Sequence, residues 1–375
     1  MKITNLWKKL FILIGVLFLL ASCIPTPPES SEEEVIQQED NEEGETSIVP
    51  TYQLSEEQYK PIIPFRPSAA RGVITDQVRN RLDIDEMEKG LRRLSMEYFD
   101  PKEYYYDEGQ YLSENTVKTL IDDLNPPKQE IKTEEEHREN PRVFSHVLEQ
   151  NYVEVEEDEI ELRGVSIGIA LKSVYRFETE TGGPYTEDIS ESDMLEKGKK
   201  IAQDLLEHLR EYEDVQSVPI MIALYREEEI ASPVPGSYVA KTYVQGSDML
   251  IGDWEEVNEE NVLFPSNYAK ENFPDTNKVL EEFGQKIADY FPNYVGYIGN
   301  GFYVDNDLKR LNIHIPIEFN GSSEIVGFTQ YVYGLVKNSF TGDYDIDVQI
   351  ASSDQIESII FQKAGDEEPT AHILQ

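Results

Sequence analysis

The chain has 375 residues, 74 acidic against 33 basic side chains, a formal net charge of -41, and a single cysteine, Cys23. Such an excess of acid excludes nucleic acid as a partner and argues against docking on anionic headgroups, since both need a basic surface. A lone cysteine excludes an internal disulfide, so stability must come from ordinary cores, and the length is enough for one large or two medium domains.

The first segment reads as a targeting signal. Lys2, Lys8 and Lys9 precede an apolar run from Leu10 to Ala21. That run is shorter than the ~20 residues a permanent spanning helix needs, and it fits a signal-peptide core. Leu20, Ala21, Ser22 and Cys23 then follow the lipobox pattern, with small residues before the cut and a cysteine after it. Cleavage is expected between Ser22 and Cys23, the thiol taking a thioether-linked diacylglycerol and the freed amine a further acyl chain. At ~0.8 kcal/mol per buried methylene, one chain anchors marginally and two or three hold firmly. The expected partners are therefore the membrane, through this lipid anchor, and the lipoprotein-processing enzymes. The expected location is the extracellular face of the cell membrane. Residues 1–22 are the signal peptide. Residues 23–65 read as a disordered acidic tether, opened by Pro25, Pro27 and Pro28 and kept extended by like charges from Glu29 to Glu45.

Order begins near Arg66. Val78, Leu82, Met87, Leu91, Leu94 and Tyr98 recur at close to helical spacing, with Asp83 and Glu86 as an internal capping pair and Asp100-Pro101 as the stop. Ser113 caps a short helix striped by Val117, Leu120, Ile121 and Leu124, and residues 128–140 read as polar loop. Val165, Ile167, Ile169 and Leu171 alternate with Ser166, Gly168, Ala170 and Lys172, a half-buried strand. A Gly182-Gly183-Pro184 loop leads to a helix capped by Ser190 and Asp193 and striped by Leu195, Ile201, Leu205 and Leu209. Residues 218–225 form a short buried strand.

Later in the chain Val279, Leu280, Phe283, Ile287 and Tyr290 make another helical stripe. Strands are expected at 294–304, 311–319 and 344–350, and Pro316, which cannot donate to a ladder, places the second of them at an edge or bulge. The pattern predicts an α+β fold, helices packed on largely antiparallel sheets in two related subdomains, 66–250 and 251–375. A Lys-Ile-Ala string shared by two helices, at 200–202 and 286–288, hints at duplication.

Candidate chemistry is sparse. Gly164-Val-Ser166-Ile-Gly168 has the G-x-S-x-G form of a hydrolase nucleophile elbow, but the strand alternation runs straight through it, so Ser166 reads as a mid-strand residue. Asp343, Asp345 and Asp347 are spaced like calcium ligands, yet Val348 stands where the loop glycine belongs; alternation with Tyr344 and Ile346 explains them as the solvent face of a strand. His137, His146, His208, His314 and His372 form no zinc pattern. Tyr104, Tyr105 and Tyr106 read as helix-to-sheet packing ahead of a sugar or peptide groove. No metal, no cofactor and no catalytic residue are expected, so the body is read as non-catalytic.

The strings Arg71 to Asp85, Gly90 to Ser95, Phe99-Asp100-Pro101, Glu108 to Leu112, Ser145 to Gln150, Arg163 to Leu171 and Val218 to Ile220 resemble the CamS family of sex-pheromone lipoproteins from Gram-positive bacteria. The resemblance implies that the fragment freed just before the lipidated cysteine is an apolar mating pheromone. It maps to Val16, Leu17, Phe18, Leu19, Leu20, Ala21 and Ser22, which share the central Phe18 and the Leu20-Ala21-Ser22 ending of the family's peptide pattern. The peptide would find a receptor on plasmid-bearing donors and start conjugation; Val16, Leu17 and Leu19 depart conservatively from the pattern. For the folded body a surface binding module for peptide, glycan or partner protein ranks first, an envelope passenger second and a hydrolase third.

Overall fold

The computed structural model describes residues 34–37, 46–49, 55 and 58–374, save 129, 157–158, 181 and 319–320. The signal segment, the lipobox with Cys23 and the peptide Val16–Ser22 therefore lie outside the described residues. Within the stretch read as a disordered tether, β1 (Glu34–Gln37) and β2 (Thr46–Val49) pair as an antiparallel ribbon. Each carries two adjacent β-branched residues, Val35 and Ile36 in β1 and Ile48 and Val49 in β2, and such residues favour extended backbone.

Two six-stranded sheets form the body. The first orders β3 (Tyr105–Glu108), β4 (Phe144–Glu156), β5 (Glu159–Lys172), β8 (Ile220–Glu227), β9 (Ser237–Val244) and β10 (Glu255–Glu256). The hairpin β6 (Val174–Thr179) and β7 (Gly182–Asp188) stands apart as its own two-stranded sheet. The expected Gly182-Gly183-Pro184 loop is thus the start of a strand. The second sheet orders β11 (Glu259–Phe264), β12 (Ile298–Val304), β13 (Asp307–Pro316), β14 (Asp345–Ala351), β15 (Ile356–Gln362) and β16 (Thr370–Ile373). The change of sheet falls between Glu256 and Glu259, so residues 251–256 belong with the first sheet and not, as expected, with the second unit.

Each sheet is an antiparallel meander of three strands, a crossover carrying a helix, and a second meander of three. In each the central pair, β5–β8 or β13–β14, is parallel and its neighbours are antiparallel. The two halves are related, as expected, but by topology. The crossover helices that correspond are α5 (Glu191–Leu209) and α8 (Ser322–Ser339). The second Lys-Ile-Ala lies in α7 (Pro274–Ala288), which joins β11 toward β12, so that shared string links helices that are not counterparts.

In the first half α1 (Ile74–Gln77) and α2 (Arg81–Ser95) precede the sheet, and α3 (Glu114–Asp123) and α4 (Glu134–Glu139) join β3 to β4. Asn80, not Asp83, caps α2, its side chain accepting from Leu82 N. Ser113 and Ser190 cap α3 and α5 as their sequence positions predict. The expected loop at 128–140 contains α4, started by a capping box in which Thr133 and Glu136 satisfy each other's backbone N–H groups. In the second half α6 (Asn267–Asn272) leads into α7, and α7 and α8 bury Leu280, Phe283, Ile287, Phe328, Val332 and Val336 against one sheet face.

Strand β5 is covered on both faces, not half-buried. Val165, Ile167, Ile169 and Leu171 enter the core beneath α5, while Ala170 and the small residues Gly164, Ser166 and Gly168 face α2. Those small residues are the reason α2 can lie there. A Cβ on Gly164 would come within 2.0 Å of the Phe99 ring, and one on Gly168 within 2.6 Å of the Tyr238 hydroxyl. Phe99 cannot retreat, since its ring stacks on Tyr152 at 4.6 Å and Tyr59 donates to its carbonyl at 2.5 Å. Gly164→Ala should therefore cost about 3 kcal/mol of stability through overpacking, measured as a lowered urea midpoint with an unchanged slope.

Pro316 is also reassigned. Strand β13 is central, between β12 and β14, and Pro316 is its last residue. Ile317 N bonds to Ala351 O on the β14 side, so the ring nitrogen of Pro316 turns toward the β12 side, beyond Ile298, where that ladder has not yet begun. The missing N–H is tolerated there because it falls beyond the β12–β13 ladder, whose first pair is Ile298 with His314.

Candidate functional site

A cleft of about 460 Å³ opens at the carboxyl end of the parallel pair β5–β8, a volume within the usual range for small-molecule sites. Crevices at this end of parallel strands are where α/β sheets commonly take ligands, because the crossover carries the chain away and leaves the strand ends open. Lys172 and Glu227, the last residues of the two strands, lie in register on its floor. The β6–β7 hairpin and α4 form one wall, and the α1–α2 junction with the loop after β8 forms the other.

The floor is polar and buried. Lys172 Nζ donates to the carbonyls of Arg142 and Phe144, each at 3.3 Å, and among the described residues no carboxylate lies within ion-pair distance of it. Burial lowers its pKa while the Glu227 charge opposes the fall. Burial likewise pushes Glu227 above the ordinary carboxylate range, against a hydrogen bond from Ser145 and the charge of Lys172. One Glu227 carboxylate oxygen, Oε1, has no hydrogen-bond partner among the described residues. Arg142 is committed to structure: it pairs with Asp122 at 2.7 Å and donates to Pro126 O at 2.5 Å, tying the end of α3 to the start of β4.

The wall is aromatic. His137 stacks on Phe177 at 4.5 Å and 16°, its Nδ1 2.9 Å from the Tyr175 hydroxyl, and Tyr175 stacks on the other ring at 5.3 Å. At the rim Arg79 is exposed and, among the described residues, makes no ion pair. Arg176 sits 3.6 Å from Glu229, and Lys128 is 3.5 Å from Asp122.

Of the candidate residues for chemistry that are described, His137 lines this cleft and the others fall elsewhere. Ser166 is buried, its Oγ 2.7 Å from that of Ser95. Asp345 accepts from Ala364 N at 2.9 Å and pairs with Lys363, a strand-end contact, and no cluster of His, Cys, Asp or Glu among the described residues could hold a metal ion. Tyr104 and Tyr106 join Tyr59, Phe99 and Tyr152 in the packing beneath α2. His146 is buried with Nδ1 unpartnered among the described residues, and burial drives its pKa down to about 3. His314 and His372 are exposed. Lys172, Glu227 and Arg79 carried no signal in the sequence, because each is one more charge in a charged chain.

The family model described as CamS sex pheromone cAM373 precursor matches residues 65–368. The chain belongs to the CamS sex pheromone precursor family. It is similar to the crystal structure of a sex pheromone precursor from Lactobacillus salivarius subsp. salivarius, with a TM-score of 0.80 and 27% identity over 88% of this chain and 99% of that one. It is also similar to the C-terminal domain of the sex pheromone staph-cAM373 precursor from Staphylococcus aureus, with a TM-score of 0.69 and 26% identity over 79% and 98%. No curated protein matches the chain. The family is one of pheromone precursors and not a known enzyme class, which fits a secreted or surface protein; among the described residues no helix is long and apolar enough to cross a membrane.

Proposed function

We propose that this chain is a lipid-anchored surface lipoprotein, tethered at Cys23 on the outer face of the cell membrane, whose signal peptide releases Val16–Ser22 as an apolar sex pheromone. The family match over the folded body, set downstream of Leu20-Ala21-Ser22-Cys23, is the observation that supports it. Lipoprotein-processing enzymes and a receptor on the recipient of the peptide are its partners. The body itself is read as non-catalytic, since Ser166 is buried against Ser95 and not presented on an exposed elbow.

Mass spectrometry of membranes and culture supernatant, wild type beside Cys23→Ala, tests this. The wild type should show a diacylated or triacylated Cys23 and an external Val16–Ser22 fragment, and the variant neither. Lipidated Cys23 without the fragment would leave the anchor and remove the pheromone; unlipidated Cys23 would overturn the anchor. A second reading concerns the body alone. The cleft at the end of β5–β8, with an unpartnered carboxylate oxygen on its floor, favours a ligand-binding module.

A further inference from the structure

The chain carries more than twice as many acidic as basic side chains, yet among the described residues those lining the β5–β8 cleft include as many basic as acidic ones. The acidic excess of the chain is cancelled locally there. The unpaired Arg79 and the loosely paired Arg176 and Lys128 are at its rim, and long cations of this kind are matched by a carboxylate or phosphate. The wall offers a stacked aromatic surface whose outermost member, His137, is half-exposed. The floor sets an ammonium donor, Lys172, beside a carboxylate, Glu227, one of whose oxygens is unpartnered among the described residues.

These features call for different parts of one ligand. A donor and an acceptor side by side read neighbouring hydroxyls, which both give and take hydrogen bonds. A flat aromatic wall covers the apolar face of a ring, and rim cations hold an anionic substituent at its edge. A peptide bound by strand addition would need an open strand edge, whereas here the groups converge on one short floor. We infer that the cleft binds a small acidic saccharide, a sugar ring bearing one carboxylate or phosphate, with its hydroxyls on Lys172 and Glu227 and its anionic group toward Arg79 and Arg176. This rests on reading the body as a binding module and names the ligand class for it.

Isothermal titration of the full-length chain in detergent, with glucuronate, glucose 6-phosphate, glucose and trialanine as probes, tests the inference. At least one of the two acidic sugars should bind, and which one binds tells carboxylate from phosphate. Glucose should bind more weakly by about tenfold or more, and the exposed double variant Arg79→Ala/Arg176→Ala should weaken the acidic sugar by a similar factor. His137→Ala, a change at a half-exposed wall residue, should weaken both sugars alike. Acidic sugar binding unchanged in these variants, or glucose binding as tightly, would overturn the inference. Trialanine binding with no sugar binding would overturn the ligand class and leave the binding-module reading standing. Silence with all four probes would remove both.

Discussion

Arg93→Met should separate the two halves of the molecule. Arg93, on α2, donates through Nε and Nη2 to Glu259 at 2.9 and 2.8 Å and through Nη2 to Glu86 at 2.8 Å, and it lies 4.4 Å from the centre of the Phe302 ring. Glu86 and Arg93 belong to the first half, Glu259 and Phe302 to the second. Both carboxylates are nearly enclosed, with side chains 7% and 3% exposed. Removing the guanidinium leaves two buried negative charges without a partner, a change that costs about 3–5 kcal/mol. A further link across the junction is a single neutral hydrogen bond, Asn261 Nδ2 to Gly236 O at 3.1 Å. Calorimetry should show one unfolding transition in the wild type and two in the variant. Adding Glu259→Gln to Arg93→Met should recover part of the loss, because the cost lies in the orphaned charge. A single, barely shifted transition in Arg93→Met would show that the halves are held by something else.

The second large effect is a pH dependence centred on Asp83. This fully buried carboxylate accepts from the Tyr225 hydroxyl at 2.9 Å, Gly236 N at 2.7 Å and Glu228 N at 3.2 Å, pinning both ends of the loop between β8 and β9 to the first turn of α2. Burial outweighs those hydrogen bonds and raises its pKa from 3.8 to about 6. The folded state therefore holds this proton more tightly than the unfolded state. Its contribution is fully present below pH 3.8 and is lost as pH rises through 6, by roughly 3 kcal/mol in all. Asp83→Asn keeps an oxygen for Tyr225 and Gly236 but turns an amide N–H₂ toward Glu228 N, which should cost about 1–3 kcal/mol at pH 4. The deficit should shrink or reverse by pH 7, because the variant has no proton to lose. His146 works in the opposite direction: kept neutral by burial, it withdraws stability as pH falls from 6.5 toward 3. Urea unfolding of wild type and variant at each pH isolates Asp83, since His146 is common to both. A constant difference from pH 4 to 7.5 would refute the assignment.

Much of the local chemistry was legible in the sequence, although the capping box of Thr133 and Glu136 and the Asn80 cap were not singled out. Ser113 and Ser190 cap their helices, and the α+β class with two related halves is present. The larger differences lie where the deciding neighbour is distant. Alternation in β5 suggested one wet face, but small Gly164, Ser166 and Gly168 make room for a helix some 70 residues upstream, as the Ser95–Ser166 contact shows. Pro316 suggested an edge, while its tolerance depends on where β12 starts. The Asp83–Glu86 pair resembled a cap, yet Asp83 serves a loop about 150 residues away. The cleft was invisible for the same reason, since its walls come from segments near 79, 128–142, 172–177 and 227–230. The proposed anchor and peptide rest on one contiguous string, which lies outside the described residues.

The two sheets draw on consecutive stretches of chain, the first complete at Glu256 and the second begun at Glu259, with no strand exchanged between them. A chain that emerges N-terminus first can therefore close its first sheet before any strand of the second exists. The slowest pairing in each half, the parallel one across a crossover helix, is an internal matter for that half. The clamp of Arg93 on Glu259 then ties the opening residue of the second sheet to a helix of the first.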